Sequence, residues 1–504
     1  MDPVPSISAL LVGAAERFGA APFLVDAASR REYGVAEVAA TVARRAGALR
    51  ARGVVRGDRV LIAGANSVDL VEAWLGVTYA GAIPAAVNPA LTRPELEYLA
   101  CDLQPRLAIV DPTLRAAHDA LEARGVPVVG VADGADGAPG DAARADPGDV
   151  AGIVYTSGTT SRPKGALVRQ AAYVGAGESM AAWLGLARDE RLWCVLPLFH
   201  INAQAYSLMT ALANGYALVV SPKFRASTFW RDAAELQVTE VNLTGAMLAI
   251  LAQQPADRFV PGALRTIYAA PALSPDENHR FETRFGVRIV TGFGMSENTF
   301  GTIQSATSKA KLNSIGRPRS HPNGTIVNEM RVVSPDGDVL RAGEVGELQF
   351  RSAAVTPGYW NAPEVSARTI VDGWLRTGDA GYLDAEGDVM LVGRYKEMIR
   401  RRGENIAPRE VEEVLMLHDG VENAAVIGVP SPLSEEDVVA CVIRAAGSDV
   451  DEEGLRAWCA ARLAPYKVPQ RVVFREAFPL TATMRVAKVR LAAEIAPLAG
   501  AGAH

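Results

Sequence analysis

Between Val60 and Val110 the chain alternates short apolar runs, "RVLIAG" and "RLAIVD", with longer amphipathic ones, "SVDLVEAWLGVTYAGA" and "TRPELEYLACD". An unbroken apolar run of this kind suits a buried strand, and the intervening segments carry the spacing of helices with one buried face. Strand, helix, strand in that order makes neighbouring strands parallel, since a helical crossover returns the chain to the same end of the sheet. The alternation therefore restricts the fold to the α/β class, with β-α units wrapped on parallel sheets. It resumes in "RLWCVLPLFHINAQAYSLMTALANG" and "VTEVNLTGAMLAILAQQ".

Beyond Asn313 the pattern shortens to "MRVVSPDGDVL", "GELQFRS" and "GYLDAEGDVMLVGR". Asp336-Gly337 and Glu386-Gly387 stand between apolar runs as hairpin turns do, which predicts a mainly antiparallel subdomain. After Arg394 a basic segment, "YKEMIRRRGENIAP", leads into helix "REVEEVLMLH", strands "ENAAVIGVP" and "DVVACVIRA", and helix "DEEGLRAWCAARLA". That is the size of a small separate α+β domain. A chain of 504 residues exceeds what one core supports. The boundary is expected at Tyr395 and Lys396, giving a large domain over 1–394 and a small one over 395–504. The Gly-, Ala- and Asp-rich stretch "GVADGADGAPGDAARADPGD" reads as a solvated connector, and no internal repeat is evident.

A net charge of -6 over this length argues against nucleic acid or an anionic membrane as partner. The N-terminus "MDPVPSISALLVGAAERFG" carries an acidic residue and prolines where an export signal carries positive charge. The longest apolar stretch, "AWLGVTYAGAIPAAV", is interrupted by Pro84 and is too short to span a bilayer. Cys101, Cys194, Cys441 and Cys459 show no metal or redox spacing, so reduced, mostly buried thiols in a cytoplasmic protein are expected.

"YTSGTTSRPKGALV", from Tyr155, follows the apolar run "AGIV" and crowds hydroxyls, a glycine and a lysine together. Free backbone N–H groups at the end of a strand suit phosphate oxygens, and Lys164 adds charge. The P-loop pattern does not fit, because glycine follows the lysine and Pro163 precedes it where a helix would begin. Short clusters of this composition are commonly plain surface turns, so the motif needs support from elsewhere.

That support lies in the order of further segments: "PLFHINAQ", "YAAPAL", "GFGMSEN", "GELQFRS", "GWLRTGDAGYLDAEG", "GRYKEMIRRRGENIAPREVE" and "APYKVP". Over nearly its full length the chain resembles the adenylate-forming superfamily of acyl- and aryl-CoA ligases, peptide-synthetase adenylation domains and luciferases. The stretch "RRRGENIAP" is most similar to ligases of the crotonobetaine/carnitine and 4-coumarate type. The resemblance implies ATP-dependent, AMP-forming activation of a small or aromatic carboxylic acid with pyrophosphate release, then a thioester with coenzyme A. ATP, Mg2+ and coenzyme A are the implied cofactors, in a monomer or homodimer.

It also implies roles for single residues. Thr156, Ser157, Gly158, Thr159 and Thr160, with Lys164, would hold the outer phosphates and stabilise pyrophosphate as it leaves. Glu297 in "GMSE", with Thr156, would hold Mg2+, a hard cation that takes oxygen ligands. Asp379 would accept the ribose hydroxyls, with Arg394 as a second ribose or phosphate contact. Phe293 would stack on adenine, beside Ala269, Ala270 and Pro271 and the run Gly292, Gly294, Met295 and Ser296. His200 sits at the gate between nucleotide and acid. The acid pocket would be lined by His200, Asn202, Gln204, Asn242, Met247, Gly292, Met295 and Ser296, whose buried amides need partners on the substrate or on backbone. Lys396 would be the hinge on which the small domain swings, and Arg402, Gly403 and Glu404, after Arg400 and Arg401, would face coenzyme A.

One motif departs from the pattern. Where such ligases carry Gly-Lys near the C-terminus, this chain reads "PLTATMRVAKVRL", with Met484-Arg485 at that place and Lys488 three residues on. Arg485 replaces the catalytic lysine, or Lys488 reaches in, or the protein has moved away from carboxylate activation; the first is preferred, because arginine keeps the charge. Two other activities stay open on this fold: a diazotase that activates nitrite for an aromatic amine, and an inactive nucleotide-binding regulator.

Overall fold

The computed structural model describes residues 6–156, 163–270, 274–305, 311–324, 327–401, 404–431, 436–480 and 486–499. They gather into two compact units, one of residues up to 156, 163–330 and 350–376, the other of 331–349 and 377 onward.

The first unit contains a nine-stranded sheet. Its parallel centre runs in the order Arg288–Phe293, Thr266–Ala269, Glu240–Leu243, Arg191–Cys194, Ala217–Val220 and Pro22–Asp26. Antiparallel strands Thr302–Ile303 and then Arg317–Pro318 extend one edge, and Glu32–Gly34 the other. Successive residues enter opposite layers. Trp193, Val219, Val241 and Leu243 pack with Phe229, Trp230, Phe281 and Phe285, while Leu192, Cys194, Leu218 and Tyr268 pack with Tyr173, Met180 and Leu184 of the helix Gln170–Leu184. Burial on both faces is why these strands read as continuous apolar runs. Each such large side chain contributes about 1.5–3 kcal/mol.

A second, four-stranded parallel sheet is ordered Ile83–Val87, Arg59–Ala63, Leu107–Val110, Val128–Gly130. Its crossover helices are Val68–Tyr79, capped by Ser67, and Arg93–Leu103, opened by a Thr92–Glu95 capping box. The alternation between Val60 and Val110 thus forms the β-α units it predicts. The connector after Gly130 is largely solvated, as expected, yet anchored. It lies against the helix Val35–Ala51: Gly140 N–H donates to Ala43 O at 2.8 Å, and Arg45 donates to the Val131 and Asp133 carbonyls. A Cβ on Gly47 would sit 2.0 Å from Ala138 O. Glycine and alanine, which signal a loop in sequence, here allow one backbone to touch another.

In the second unit Asp379 to Leu383 pair antiparallel with Val389–Arg394, turning at Glu386-Gly387, where Gly387 has φ 85°. A three-stranded sheet follows, with Val421–Pro430 antiparallel and Arg471–Phe474 parallel to the central Glu436–Arg444. Val426, Val438 and Ala440 face the helices Pro408–Met416 and Glu452–Ala460, while Ala425, Ile427 and Cys441 face Leu491 and Ile495 of Lys488–Ala499. The strand Arg471–Phe474 and the helix Lys488–Ala499 lay outside the sequence reading. All four cysteines are free; burial raises Cys441 and Cys459 to about 11 and Cys194 to about 12. Among the described residues no helix is long and apolar enough to cross a membrane.

Candidate active site

Because Arg191–Cys194, Glu240–Leu243, Thr266–Ala269 and Arg288–Phe293 are parallel neighbours, the segments that follow them leave the sheet side by side. His200, Met247, Ala270 and Gly294 to Glu297 all follow these ends. The carboxyl edge of such a sheet is where open α/β folds take up ligands.

The hydroxyl-rich motif is flanked by two paired strands. Val150–Thr156 pairs antiparallel with Lys164–Arg169, Thr156 opposite Lys164, and Thr156 Oγ1 donates to Lys164 O at 3.3 Å. A strand, not a P-loop helix, follows the loop. Ser157, Gly158, Thr159 and Thr160 fall outside the described residues. The base of the hairpin is tied to the helix Arg93–Leu103 by Tyr155 Oη donating to Asp102 Oδ2 at 2.7 Å and Tyr98 Oη donating to Pro163 O at 3.2 Å. Burial and the Asp102 carboxylate hold the Tyr155 phenol far above its ordinary pKa, so it stays a donor.

Residues 356–360 add a third rung to this hairpin. Leu167 N–H donates to Gly358 O at 3.0 Å, Trp360 N–H donates to Gly165 O at 2.8 Å, and Ala166 bridges Tyr359. The segment also reaches Glu297, which is 5% exposed. Thr356 N–H donates to Glu297 O at 2.6 Å, and Tyr359 Oη donates to Glu297 Oε1 at 2.7 Å. Lys164 Nζ lies 5.9 Å from the Tyr359 ring centroid. Tyr359 thus links the lysine of one motif to the carboxylate of another. The sequence reading missed it, although its neighbours "TPGYW" carry the Pro-Gly signal of a deliberate turn.

On the strand that leads to Glu297, two glycines make room for tyrosine hydroxyls. A Cβ on Gly292 would lie 2.8 Å from Tyr268 Oη, and one on Gly294 would lie 2.4 Å from Tyr206 Oη. Phe293 is half-buried and stacks on Phe350, with centroids 5.9 Å apart and planes 19° apart. Met295 N–H donates to Asn298 Oδ1 at 3.0 Å, and Ser296 is half-buried. Ala269 is fully buried and Ala270 half-buried; Pro271 lies outside the described residues.

His200 is half-buried, its ring 4.3 Å from that of Phe199. Residues Asn202–Leu208 wind as a π-helix, with Met209 N–H bonded five residues back to Gln204 O, a form frequent at functional sites. Both ends of the Gln204 amide are engaged inside the protein: Tyr173 donates to Oε1 at 2.5 Å, and Nε2 donates to Leu198 O at 2.7 Å. Asn242 Nδ2 donates to Ser207 Oγ at 2.8 Å. Asn242 Oδ1 and Asn202 Oδ1 are buried acceptors without a hydrogen-bond partner among the described residues. A buried acceptor left so costs about 1–3 kcal/mol, which a bound donor offsets. Met247 packs half-buried on the helix Gly245–Ala252.

In the second unit Asp379 and Arg394 stand opposite each other across two strands, with Arg394 Nε 2.9 Å from Asp379 Oδ1. Lys396 lies in the turn Tyr395–Glu397, its side chain outside the description. Ile399–Arg401 and Glu404–Ile406 form a short hairpin, and Arg402 and Gly403 fall outside the described residues. Arg485 does so too. Lys488 opens the C-terminal helix with Nζ 2.6 Å from Glu412 Oε1 and 3.8 Å from Glu397 Oε2.

The family model described as AMP-binding enzyme matches residues 11–360, and that of the AMP-binding enzyme C-terminal domain matches residues 410–485. The chain is 32% identical to a sulfoacetate–CoA ligase of Cupriavidus necator over 96% of its own length and 97% of that protein's. It is 34% identical to a feruloyl-CoA synthase of Amycolatopsis over 90% and 92%. Among solved structures, ATP-bound MatB from Rhodopseudomonas palustris superposes with a TM-score of 0.90 at 26% identity, covering 97% of this chain and 99% of that one. The o-succinylbenzoate CoA synthetase of Bacillus subtilis, holding its acyl-adenylate, gives 0.86 at 26% identity, covering 97% and 98%.

Proposed function

The chain belongs to the AMP-binding enzyme family, and from that premise we propose the chemistry of its site. The protein is an AMP-forming acid–CoA ligase. In the first half-reaction a carboxylate oxygen attacks the α-phosphorus of ATP, the bond to the β-phosphate breaks, and an acyl-adenylate and pyrophosphate result. In the second, the thiol of coenzyme A attacks the acyl carbon, AMP leaves, and the thiol proton passes to solvent. The relatives named above lend no support to a nitrite-activating or inactive protein.

The observation that carries the site assignment is the Tyr359 link, which holds the Glu297 carboxylate beside the hairpin of Thr156 and Lys164. Lys164 and the loop before it grip the outer phosphates. Glu297 and Thr156 supply hard oxygen donors, which fit Mg2+; when bound, that ion neutralises charge on the phosphates. Phe293 stacks on the base, Asp379 takes the ribose hydroxyls with its carboxylate steadied by Arg394, and His200 separates nucleotide from acid. Asn202 and Asn242 supply acceptors to the acid pocket, which Met247, Met295 and Ser296 help line, and Arg402, Gly403 and Glu404 meet coenzyme A. The small domain turns at Lys396 between the two steps.

Lys488 is held by Glu412, so the adenylating cation is Arg485, while Lys488 steadies the segment next to it, where Ala487 N–H donates to Pro479 O at 2.7 Å. The decisive assay is pyrophosphate and AMP release with acid and coenzyme A, for wild type, Arg485→Met and Lys488→Met. Loss of one such stabiliser costs about 10²–10³ in rate. Arg485→Met lowers the adenylating step by that factor, and Lys488→Met lowers the melting temperature more than the rate. ADP and orthophosphate as products would refute the whole reading.

A further inference from the structure

The helix Arg93–Leu103 ends against both flanks of the hydroxyl-rich loop. Asp102, in its last turn, accepts at 2.7 Å from Tyr155 Oη, one residue before Thr156. Tyr98, one turn earlier, donates at 3.2 Å to Pro163 O, one residue before Lys164. The main chain of Asp102 holds a second element. Its carbonyl, one of those a helix leaves unpaired at its end, accepts from Asn361 Nδ2 at 2.7 Å and from Trp360 Nε1 at 3.0 Å. Trp360 adjoins Tyr359, whose hydroxyl reaches Glu297.

The glycine that follows Lys164 lets these elements close on one another. A Cβ on Gly165 would lie 2.7 Å from Ile153 Cγ2 and 3.4 Å from both Tyr155 Cζ and Trp360 Cβ, so a side chain there would push the three apart. Asp102 is also badly placed for its own helix. A carboxylate in the last turn meets the negative end of the helix dipole, and no basic residue stands in that turn to offset it. A residue that breaks a local rule of this kind is expected where function uses it. Burial and the Asp102 carboxylate keep the Tyr155 phenol protonated, so the bond between them persists at working pH.

Resting on the acid–CoA ligase reading, in which Lys164 and the loop before it grip the outer phosphates, we propose that Asp102 is a positioning residue for that grip. Its carboxylate sets the strand end that carries Thr156, and its carbonyl sets the segment that carries Tyr359. One residue thereby fixes how Lys164 stands relative to Glu297. Cation and carboxylate must meet the same phosphates, and a displacement of about 1 Å can cost about 10² in rate.

Two nucleotides test this: α,β-methylene-ATP with Mg2+, which cannot be cleaved to AMP, and AMP, which lacks the outer phosphates. Each is titrated calorimetrically into the full chain. Asp102→Ala and Tyr155→Phe each weaken the ATP analogue about tenfold, the worth of one hydrogen bond to a charged group, and AMP by less than about twofold. The double variant binds no more weakly than either single one, because both remove the same bond. Asp102→Asn, whose amide oxygen still accepts from Tyr155, restores most of the affinity. Equal weakening of both nucleotides, or of neither, overturns the proposal and leaves Asp102 a residue of the fold alone. Loss confined to the ATP analogue, with no pyrophosphate released by the wild type from any acid and coenzyme A, upholds the positioning role and refutes the ligase reading. Tyr155→Phe removes a single oxygen, so an Asp102→Ala chain that misfolds does not spare the proposal.

Discussion

The two ends of the nine-stranded sheet use acidic residues in opposite ways. At the amino end, polar groups close on one another: Glu190 takes Arg265 Nη2 at 2.5 Å and Ala187 N–H at 2.8 Å, and Thr239 donates to its other oxygen. Glu240, next to this cluster, is 1% exposed, and its Oε1 has no partner among the described residues. At the carboxyl end Glu297 Oε1 accepts from the Tyr359 hydroxyl, and the centroid of that ring lies 5.9 Å from Lys164 Nζ. A carboxylate ringed by a guanidinium, a backbone N–H and a threonine hydroxyl, as Glu190 is, serves the fold. Burial alone therefore does not distinguish these acids; their positions at opposite ends of the sheet do.

The contrast can be broken at three points. Glu297→Gln lowers pyrophosphate release by about 10²–10³ while the melting temperature hardly moves, since glutamine still accepts from Tyr359. Turnover at the wild-type rate would place the metal carboxylate elsewhere. Tyr359→Phe removes one hydrogen bond to a charged group, about 1.5 kcal/mol or roughly tenfold in rate. The KM for ATP should rise with it, and an unchanged KM would make Tyr359 a packing residue only.

Glu240→Gln leaves turnover alone and changes stability with pH. Burial, reinforced by the Glu190 carboxylate, raises Glu240 well above its ordinary 4.5, so the folded chain retains a proton that the unfolded chain releases above that value. Its contribution to stability is full below 4.5 and is lost as pH climbs toward the folded value. Denaturant unfolding at pH 8 should find the variant more stable by about 1–3 kcal/mol, with the gap closing toward pH 5. A pH-independent difference would mean that Glu240 is ionised in the fold.

Much of the architecture was legible because it is written in local periodicity. Buried parallel strands need apolar runs, hairpins need residues such as Gly337 and Gly387 at positive φ, and the helix at Arg93 announces itself by a capping box. The connector at Gly130–Asp149 was legible as a solvated segment, but its backbone contact with the helix Val35–Ala51 was not, because small residues mean a loop and a close contact equally well. Tyr359 and Glu412 escaped notice for a different reason. Each acts through a partner distant in the chain, and a lone Tyr or Glu carries no local signature.

Sequence by itself determined the class of fold and the family, and singled out the hydroxyl-rich hairpin, Glu297 and Asp379 as candidates, since these depend on residue type and near neighbours. Only the tertiary structure decided that Tyr359 should link hairpin to carboxylate and that Lys488 should be paired with Glu412. Those outcomes depend on strand order and crossover, which bring remote segments to one edge by burying apolar surface elsewhere.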